Sequence, residues 1–137
     1  MTAEEIMTTE VTAVRSSDTV GKAVSLLAEL EVRHLPVIDN GELVGMLSDR
    51  DLRELGIYQF NDFESLERVQ ALSKTKISDV MNGDVLSVDP GAAVREIVDL
   101  MIEEKVGALP VVDGHTGGLV GIVSYVDVLR VAAENLD

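Results

Sequence analysis

The sequence of 137 residues contains no cysteine and no tryptophan, and its only histidines are His34 and His115. Without cysteine there is no disulfide framework, no thiolate metal site and no cysteine nucleophile. Aromatic residues make up only 3% of the chain, whereas 46% of its residues are hydrophobic. We therefore expect a core of aliphatic side chains that is large enough to fold without disulfides.

Long apolar runs and an excess of basic residues are also absent. No apolar run approaches the roughly 20 residues that span a bilayer, and the acidic start lacks the basic and apolar regions of a signal peptide. With 25 acidic and 11 basic residues, the formal net charge is −14, which disfavours binding to the phosphate backbone of nucleic acids. These features predict a soluble, cytoplasmic protein that binds neither membranes nor nucleic acids.

The strongest signal in the sequence is an internal repeat, detected by comparing the chain with itself. The offset is 74 residues at first, and it becomes 76 after two extra residues in a turn of the second copy. The matched positions include Met7 and Met81, Leu35–Val37 and Leu109–Val111, Leu43–Gly45 and Leu119–Gly121, Ser48 and Ser124, and Asp51 and Asp127. Because glycine, proline and polar positions agree as well as apolar ones, we interpret the chain as a duplication.

Each copy begins with a short β-prone piece, at Val11–Val14 and Val85–Val88. Apolar residues at helical spacing follow in both copies and predict a helix. The helix is expected to open at Ser16–Asp18 in the first copy and at Asp89–Pro90 in the second, because aspartate caps free amides and proline suits the first helical position.

Two short apolar runs come next, and in the first copy they are joined by Asn40-Gly41. This arrangement predicts a β-hairpin, followed by a second helix that starts at Ser48 or Ser124. The expected fold class is α+β, resembling an α/β sandwich, with two β-α-β-β-α repeats at residues 4–55 and 77–133.

Residues 56–76 belong to neither copy. Leu66, Val69 and Leu72 are spaced to share one face of a helix, so we expect a linker helix packed on the domain edge. A surface for a dimer mate or another partner is the alternative interpretation.

Both copies carry the motif Ser-x-x-Asp where the second helix opens, at Ser48 and Asp51 and at Ser124 and Asp127. One interpretation is a capping box, although aspartate is short for the reach back to the serine amide. The other is a nucleotide site, since a helix N-terminus offers amides to a phosphate and a carboxylate accepts the hydroxyls of a ribose. The short acid in both copies favours the nucleotide site.

The doubled pattern apolar-x-Pro-apolar-apolar-Asp, hairpin, Leu-Val-Gly-apolar-apolar-Ser-x-x-Asp resembles the CBS domain family, named from cystathionine β-synthase. Together with Val32–Val37, the layout is most similar to the small stand-alone CBS proteins of the acetoin-utilisation type. The resemblance implies two repeats around a pseudo-twofold axis and a cleft between them for an adenine compound. The implied ligands are AMP, ADP, ATP or S-adenosylmethionine, and the implied assembly is a homodimer.

The resemblance also implies roles for individual residues. Asp51 and Asp127 would each hold a ribose with the neighbouring serines, Arg33 and His34 would reach phosphate, and strand residues would line the adenine. The expected ligand-binding residues are Asp127, Ser124, Arg33, His34, Asp51, Ser48, Arg50, Thr12, Val14, Leu86 and Val88.

The two copies differ at the positions expected to contact phosphate. Gly107 and Ala108 stand in the second copy where Arg33 and His34 stand in the first. If each cleft draws on both repeats, Asp127 shares its site with Arg33 and His34. We therefore expect one better phosphate site, and a second that is weak, empty or occupied by an uncharged ligand.

Structural roles are the alternative for the basic residues of the first copy. Arg33 is also suited to a solvated helix C-terminus, and His34 to a structural role. Arg50 is spaced to pair with Asp49 or Glu54. His115 lies in a glycine-rich turn and is expected to be exposed.

An enzyme is not expected, because the sequence has no Ser-His-Asp arrangement and no phosphate-binding glycine loop with lysine. The main alternative function is a protein-interaction or dimerisation module that binds no nucleotide. A divalent-metal sensor using Asp49 and Asp51 ranks lower, because no acidic cluster has a recognised loop spacing.

Overall fold

The order helix, hairpin, helix occurs twice in the computed structural model, which describes residues 1–54, 71 and 73–136. The elements are α1 (Ala3–Ile6), α2 (Val20–Leu30), β1 (His34–Asp39), β2 (Glu42–Ser48), α3 (Asp49–Glu54), a 3-10 turn (Ile77–Asp79), α4 (Val94–Glu104), β3 (Ala108–Val112), β4 (Leu119–Ser124) and α5 (Tyr125–Glu134). The predicted linker helix with Leu66, Val69 and Leu72 lies outside the described residues. No helix in the described part of the chain has the length and apolar character needed to cross a membrane.

Both predicted hairpins are confirmed, as β1 pairs with β2 and β3 pairs with β4. In the first hairpin, Asn40 and Gly41 have φ angles of 52° and 80°. Positive φ at both central residues is the conformation that lets a two-residue turn match the twist of its strands. In the second hairpin the antiparallel register shifts between Val111 and Val112, next to the longer turn of that copy.

The predicted β-prone pieces reduce to one parallel bridge in each copy, from Val14 to Val37 and from Val88 to Val111. Two backbone hydrogen bonds flank each bridge, so each piece lies beside the first strand of its hairpin. Each sheet therefore has two strands, β1 and β2 or β3 and β4, and is smaller than the repeat pattern predicted.

The first helix of each copy begins later than predicted, which corrects the starts at Ser16–Asp18 and Asp89–Pro90. The Asp18 carboxylate accepts the backbone N–H of Arg15 at 2.9 Å, and the Asp89 carboxylate accepts that of Gly91 at 3.1 Å. Aspartates that capture nearby backbone amides close turns and compete with the helix. The helices consequently begin beyond these turns, at residues 20 and 94.

Two separate clusters of aliphatic side chains form the cores, as the composition predicted. One contains Val14, Val20, Ala23, Leu27, Leu35, Val37, Leu47, Leu52 and Ile77. The other contains Ala3, Val88, Ile97, Leu109, Val111 and Val123. Burial of apolar area, at about 25 cal/mol per Å², is the main force that holds each cluster together.

The chain divides into two compact units, and each unit combines segments from both repeats. The C-terminal unit comprises Met1–Val11, Gly41–Leu43 and Leu86–Asp137, and the central unit comprises Thr12–Asn40 and Val44–Val85. The start of the first repeat, within residues 1–11, thus belongs to the unit that holds most of the second repeat, and the start of the second repeat, residues 77–85, belongs to the unit that holds most of the first.

Paired backbone hydrogen bonds hold both of these segments, residues 1–11 and 77–85, which we call the exchanged segments. Thr8 and Ile122 bond through their N–H and carbonyl groups at 2.9 and 3.0 Å, within the C-terminal unit. Asn82 and Met46 form the same pair of bonds at 3.0 Å each, within the central unit. The two contacts are equivalent, because Thr8 and Asn82 are matched at the offset of 74 residues.

Glycine permits the close approach of each exchanged segment. A Cβ atom added to Gly121 would lie 2.6 Å from Sδ of Met7, and one added to Gly45 would lie 2.5 Å from Sδ of Met81. Since real Cβ atoms do not approach other atoms so closely, a side chain at either position would force the neighbouring methionine or backbone to shift. The repeat alignment had matched these glycines and methionines with each other but had not predicted that they touch.

Candidate functional site

The Ser-x-x-Asp motif of the second repeat forms a complete capping box at the start of α5. The Asp127 N–H donates to Oγ of Ser124 at 3.3 Å, and the Ser124 N–H donates to Oδ2 of Asp127 at 2.8 Å. The Ser124 hydroxyl also donates to Oδ2 at 3.1 Å. The expectation that aspartate is too short for this reach is wrong, because the extended backbone of Ser124 (φ −98°, ψ 165°) brings its amide to the carboxylate.

The motif of the first repeat repeats this geometry at the start of α3. The Ser48 N–H donates to Oδ2 of Asp51 at 3.1 Å, and the Asp51 N–H donates to Oγ of Ser48 at 3.0 Å. Asp51 is half-buried, whereas Asp127 is only 8% exposed. In both copies the cap occupies Oδ2, so Oδ1 is the carboxylate oxygen not used by the cap.

Oδ1 of Asp127 lies near two further side chains of the C-terminal unit. The hydroxyl of Thr8 donates to it at 3.4 Å, and Nη1 of the exposed Arg130 lies 3.9 Å away. A carboxylate oxygen accepts about two hydrogen bonds, so Oδ1 keeps capacity for a ligand hydroxyl. Sequence reasoning missed Thr8, and the signal that marks it is its match with another polar residue, Asn82, beside the repeated methionine.

His34 is the first residue of β1 and Arg33 directly precedes it, and both belong to the central unit. The carbonyl oxygen of Arg33 accepts the backbone N–H of Asp49 at 2.8 Å, which joins the start of β1 to the first residue of α3. Burial lowers the pKa of His34 below its ordinary value of 6.5. The negative charges of Asp51 and Asp49 oppose this shift and the positive charge of Arg33 adds to it. The histidine is therefore neutral at pH 7 and able to donate or accept one hydrogen bond at each ring nitrogen.

Arg50 pairs with Glu54, which is one of the two structural alternatives left open by the sequence. Nε of Arg50 lies 3.4 Å from the Glu54 carboxylate, and both side chains are exposed. The other acid, Asp49, pairs with Arg53 at 3.2 Å instead. An exposed ion pair of this kind contributes less than about 1 kcal/mol, so it holds Arg50 only weakly.

The four residues expected to line an adenine differ in exposure. Val14 and Val88 are buried in the hydrophobic clusters of their units, whereas Thr12 and Leu86 are exposed. Thr12 and Leu86 are thus the two that present surface to a ligand. His115 is exposed in its turn, as predicted, and its N–H donates to Asp113 at 2.8 Å. Over residues 1–54, 71 and 73–136, no three acidic or histidine side chains converge as a metal site would require.

Comparison with known proteins shows which family the two repeats match. The family model of the CBS domain matches residues 3–57 and 77–134. The chain is 32% identical over 124 residues to the CBS domain-containing protein YhcV of Bacillus subtilis, a match that covers 90% of this chain and 80% of YhcV. The family match covers both Ser-x-x-Asp motifs.

Solved structures agree with the family match. The AcuB acetoin utilization protein of Vibrio cholerae is 31% identical, with a TM-score of 0.78 over 98% of this chain and 92% of AcuB. This similarity confirms the predicted likeness to the acetoin-utilisation type. CBSX2 of Arabidopsis thaliana, solved in complex with AMP, is 34% identical, with a TM-score of 0.80 over 97% of each chain. The chain therefore belongs to the CBS domain family and carries two CBS domains in tandem.

Proposed function

We propose that the chain is a regulatory module that binds an adenine nucleotide at the Ser124–Asp127 motif and signals by a shift between conformations. The observation that carries this proposal is the Asp127 carboxylate, which is buried and oriented by the cap yet keeps acceptor capacity on Oδ1. Support also comes from CBSX2, the relative solved with AMP.

Each part of a nucleotide has a chemical partner in the expected set of residues. Oδ1 of Asp127 accepts a ribose hydroxyl, and the Ser124 hydroxyl lies beside it. The sequence predicts Arg33, whose guanidinium binds phosphate bidentately, and His34 as phosphate contacts. AMP, ADP and ATP are the favoured ligands, and S-adenosylmethionine shares their adenosine group.

The Asp51 motif is proposed as the second and weaker site. It has the same capping geometry, but the residues matched to Arg33 and His34 are Gly107 and Ala108. Glycine and alanine offer no side-chain charge to a phosphate. Comparing AMP binding by Arg33→Gln with AMP binding by variants of Asp51 and of Asp127 tests whether one ligand contacts residues of both repeats.

Signalling requires a surface that a partner reads, and α5 supplies a candidate. Tyr125, Val126 and Leu129 are 38%, 39% and 58% exposed on this helix. Exposed apolar side chains on one helix are typical of a contact with another protein. We take the contact to be a second copy of the chain, so that the nucleotide acts in a cytoplasmic homodimer as a regulatory signal and is not a substrate.

A dimerisation or protein-interaction module without a nucleotide is the second candidate. The exposed side chains of α5 favour it, since they need no ligand. In that case the Ser-x-x-Asp motifs act only as helix caps, which their geometry also satisfies.

A thermal-shift screen separates the two functions. AMP, ADP, ATP and S-adenosylmethionine are tested with and without magnesium, and GMP is the control for the base. A ligand that binds only the folded state raises the melting temperature by RT ln(1 + [L]/Kd). We expect a shift with at least one adenine compound and none with GMP.

The decisive variant is Asp127→Glu. Glutamate is a usual partner in a capping box, so this change keeps the cap and the fold while it moves the carboxylate by one methylene. We expect the ligand-induced shift to disappear, whereas the matched variant Asp51→Glu retains it. No shift with any adenine compound in the wild-type protein contradicts the sensor and leaves the interaction module, which light scattering of Leu129→Glu then tests.

A further inference from the structure

The exchanged N-terminal segment places one side chain against the Asp127 carboxylate. Thr8 is exposed, and its Oγ1 lies 3.4 Å from Oδ1 of Asp127, although the two residues are 119 positions apart in the chain. Two backbone hydrogen bonds to Ile122 fix the Thr8 backbone. Ile122 precedes Ser124 by two residues, so the hydroxyl is held directly beside the start of α5.

The contact equivalent to that of Thr8 is different beside the Asp51 motif. Asn82 occupies the same register and makes the same two backbone bonds, to Met46. Its side-chain Oδ1 accepts the N–H of Asp84 at 3.1 Å, so the carboxamide closes a turn of its own segment. In the portion of the chain described, no hydrogen bond joins Asn82 to Asp51. The two aspartates are thus capped alike but held differently.

We propose that Thr8 is a positioning residue for Asp127 and makes the Asp127 motif the tighter of the two nucleotide sites. The proposal rests on the proposed function, because it concerns the same site. Oδ2 is fixed by the cap, and the Thr8 hydroxyl, 3.4 Å from Oδ1, restricts the directions that Oδ1 can take beside the Arg130 guanidinium at 3.9 Å. A carboxylate held in one orientation before the ligand arrives loses less freedom on binding, and affinity rises accordingly.

The hydroxyl group is the part of Thr8 that this role requires. When its hydroxyl donates to Oδ1, the lone pairs of Oγ1 stay available to a ligand donor. Serine keeps this chemistry, whereas valine keeps the shape and removes the hydroxyl. The adjacent Thr9 is exposed, and among the described residues its one hydrogen bond is that of its carbonyl oxygen with the N–H of Val11. Thr9→Val is therefore the matched control.

The first measurement is calorimetric titration of the full chain with AMP. Loss of one hydrogen bond at the site predicts that Thr8→Val binds AMP about three- to tenfold more weakly. Thr8→Ser should bind within about twofold of wild type, and so should Thr9→Val. If Thr8→Val binds AMP as tightly as wild type while Asp127→Glu has lost binding, the positioning role is refuted and the proposed function stands.

The second measurement needs no ligand, so it decides whether Thr8 positions Asp127 even if the chain binds no AMP. Hydrogen exchange of the Ser124 amide reports the cap, because this N–H donates to Oδ2 of Asp127. If Thr8 holds the carboxylate, Thr8→Val speeds this exchange about three- to tenfold, and Thr8→Ser restores it. Unchanged exchange in Thr8→Val overturns the inference. Absence of AMP binding by wild type, together with faster exchange in Thr8→Val, overturns the proposed function and the claim of a tighter site, and leaves the positioning of Asp127 by Thr8.

Discussion

Alanine at Gly121 tests whether close backbone packing holds the exchanged N-terminal segment. The added Cβ would lie 2.6 Å from Sδ of Met7 and 2.9 Å from the carbonyl oxygen of Thr8. At Gly45 the Cβ would lie 2.5 Å from Sδ of Met81, but 3.2 Å from the nearest backbone oxygen. A methionine side chain rotates away more easily than a carbonyl that is fixed by paired hydrogen bonds. Gly121→Ala should therefore be the more harmful substitution.

The expected magnitudes follow from these contacts. Overpacking costs about 1–3 kcal/mol, and each backbone hydrogen bond lost between Thr8 and Ile122 costs about 0.5–1.5 kcal/mol. We expect Gly121→Ala to lower the free energy of unfolding by about 2–4 kcal/mol, and Gly45→Ala by about 1–2 kcal/mol. Met81→Ala should cost less in the Gly45→Ala background than in the wild type, because it relieves the clash, whereas Met7→Ala should relieve a smaller part of the clash in Gly121→Ala.

Urea unfolding followed by circular dichroism measures these differences. Gly83→Ala is the control, since a Cβ there would meet its nearest neighbour, the carbonyl oxygen of Val44, at 4.0 Å. It should change the free energy of unfolding by less than about 0.5 kcal/mol. If Gly121→Ala is as stable as this control, or if Gly45→Ala is the more harmful change, the packing account is refuted.

Three further predictions concern stability. Ser124→Ala removes the cap of α5 and should lower the free energy of unfolding by about 1 kcal/mol in urea; an unchanged midpoint would show that the cap is unimportant. Hydrogen bonds from the Ser16 side chain and N–H hold the pKa of Asp39 below 3.8. The stabilisation they provide is present above pH 3.8 and disappears as the pH falls through the pKa of the folded state. Ser16→Ala should therefore weaken the dependence of unfolding on acid pH, and a pH profile identical to that of the wild type would contradict this. Burial lowers the pKa of His34. The free energy of unfolding should therefore decline as the pH falls below about 6.5, because the unfolded chain takes up the proton first. His34→Gln should flatten that decline, and an unaltered slope would show that another group causes it.

Features that depend on neighbouring residues were predictable from the sequence. Asn40-Gly41 specifies a turn with two positive φ angles, and Ser48 and Ser124 mark the starts of their helices. The helix starts near Asp18 and Asp89 were wrong, because an aspartate that caps a helix and one that closes a turn are chemically the same. Only the backbone conformation around each aspartate distinguishes the two roles.

The contacts that the sequence did not reveal join residues far apart in the chain. Thr8 reaches Asp127, and Met7 lies against Gly121, because the start of the chain pairs with the second repeat. The repeat alignment matches equivalent residues, but it does not say which copy a segment packs against. Exchange of segments between the two units was therefore outside what periodicity and motif spacing predict.

Calorimetric titration of AMP into wild type, Asp127→Glu and Asp51→Glu tests the central claim most directly. The account predicts a tight site in wild type, retained in Asp51→Glu and lost in Asp127→Glu, with all three proteins equally folded. Binding by Asp127→Glu as tight as that of wild type, or no binding of AMP by the folded wild-type chain, would contradict it.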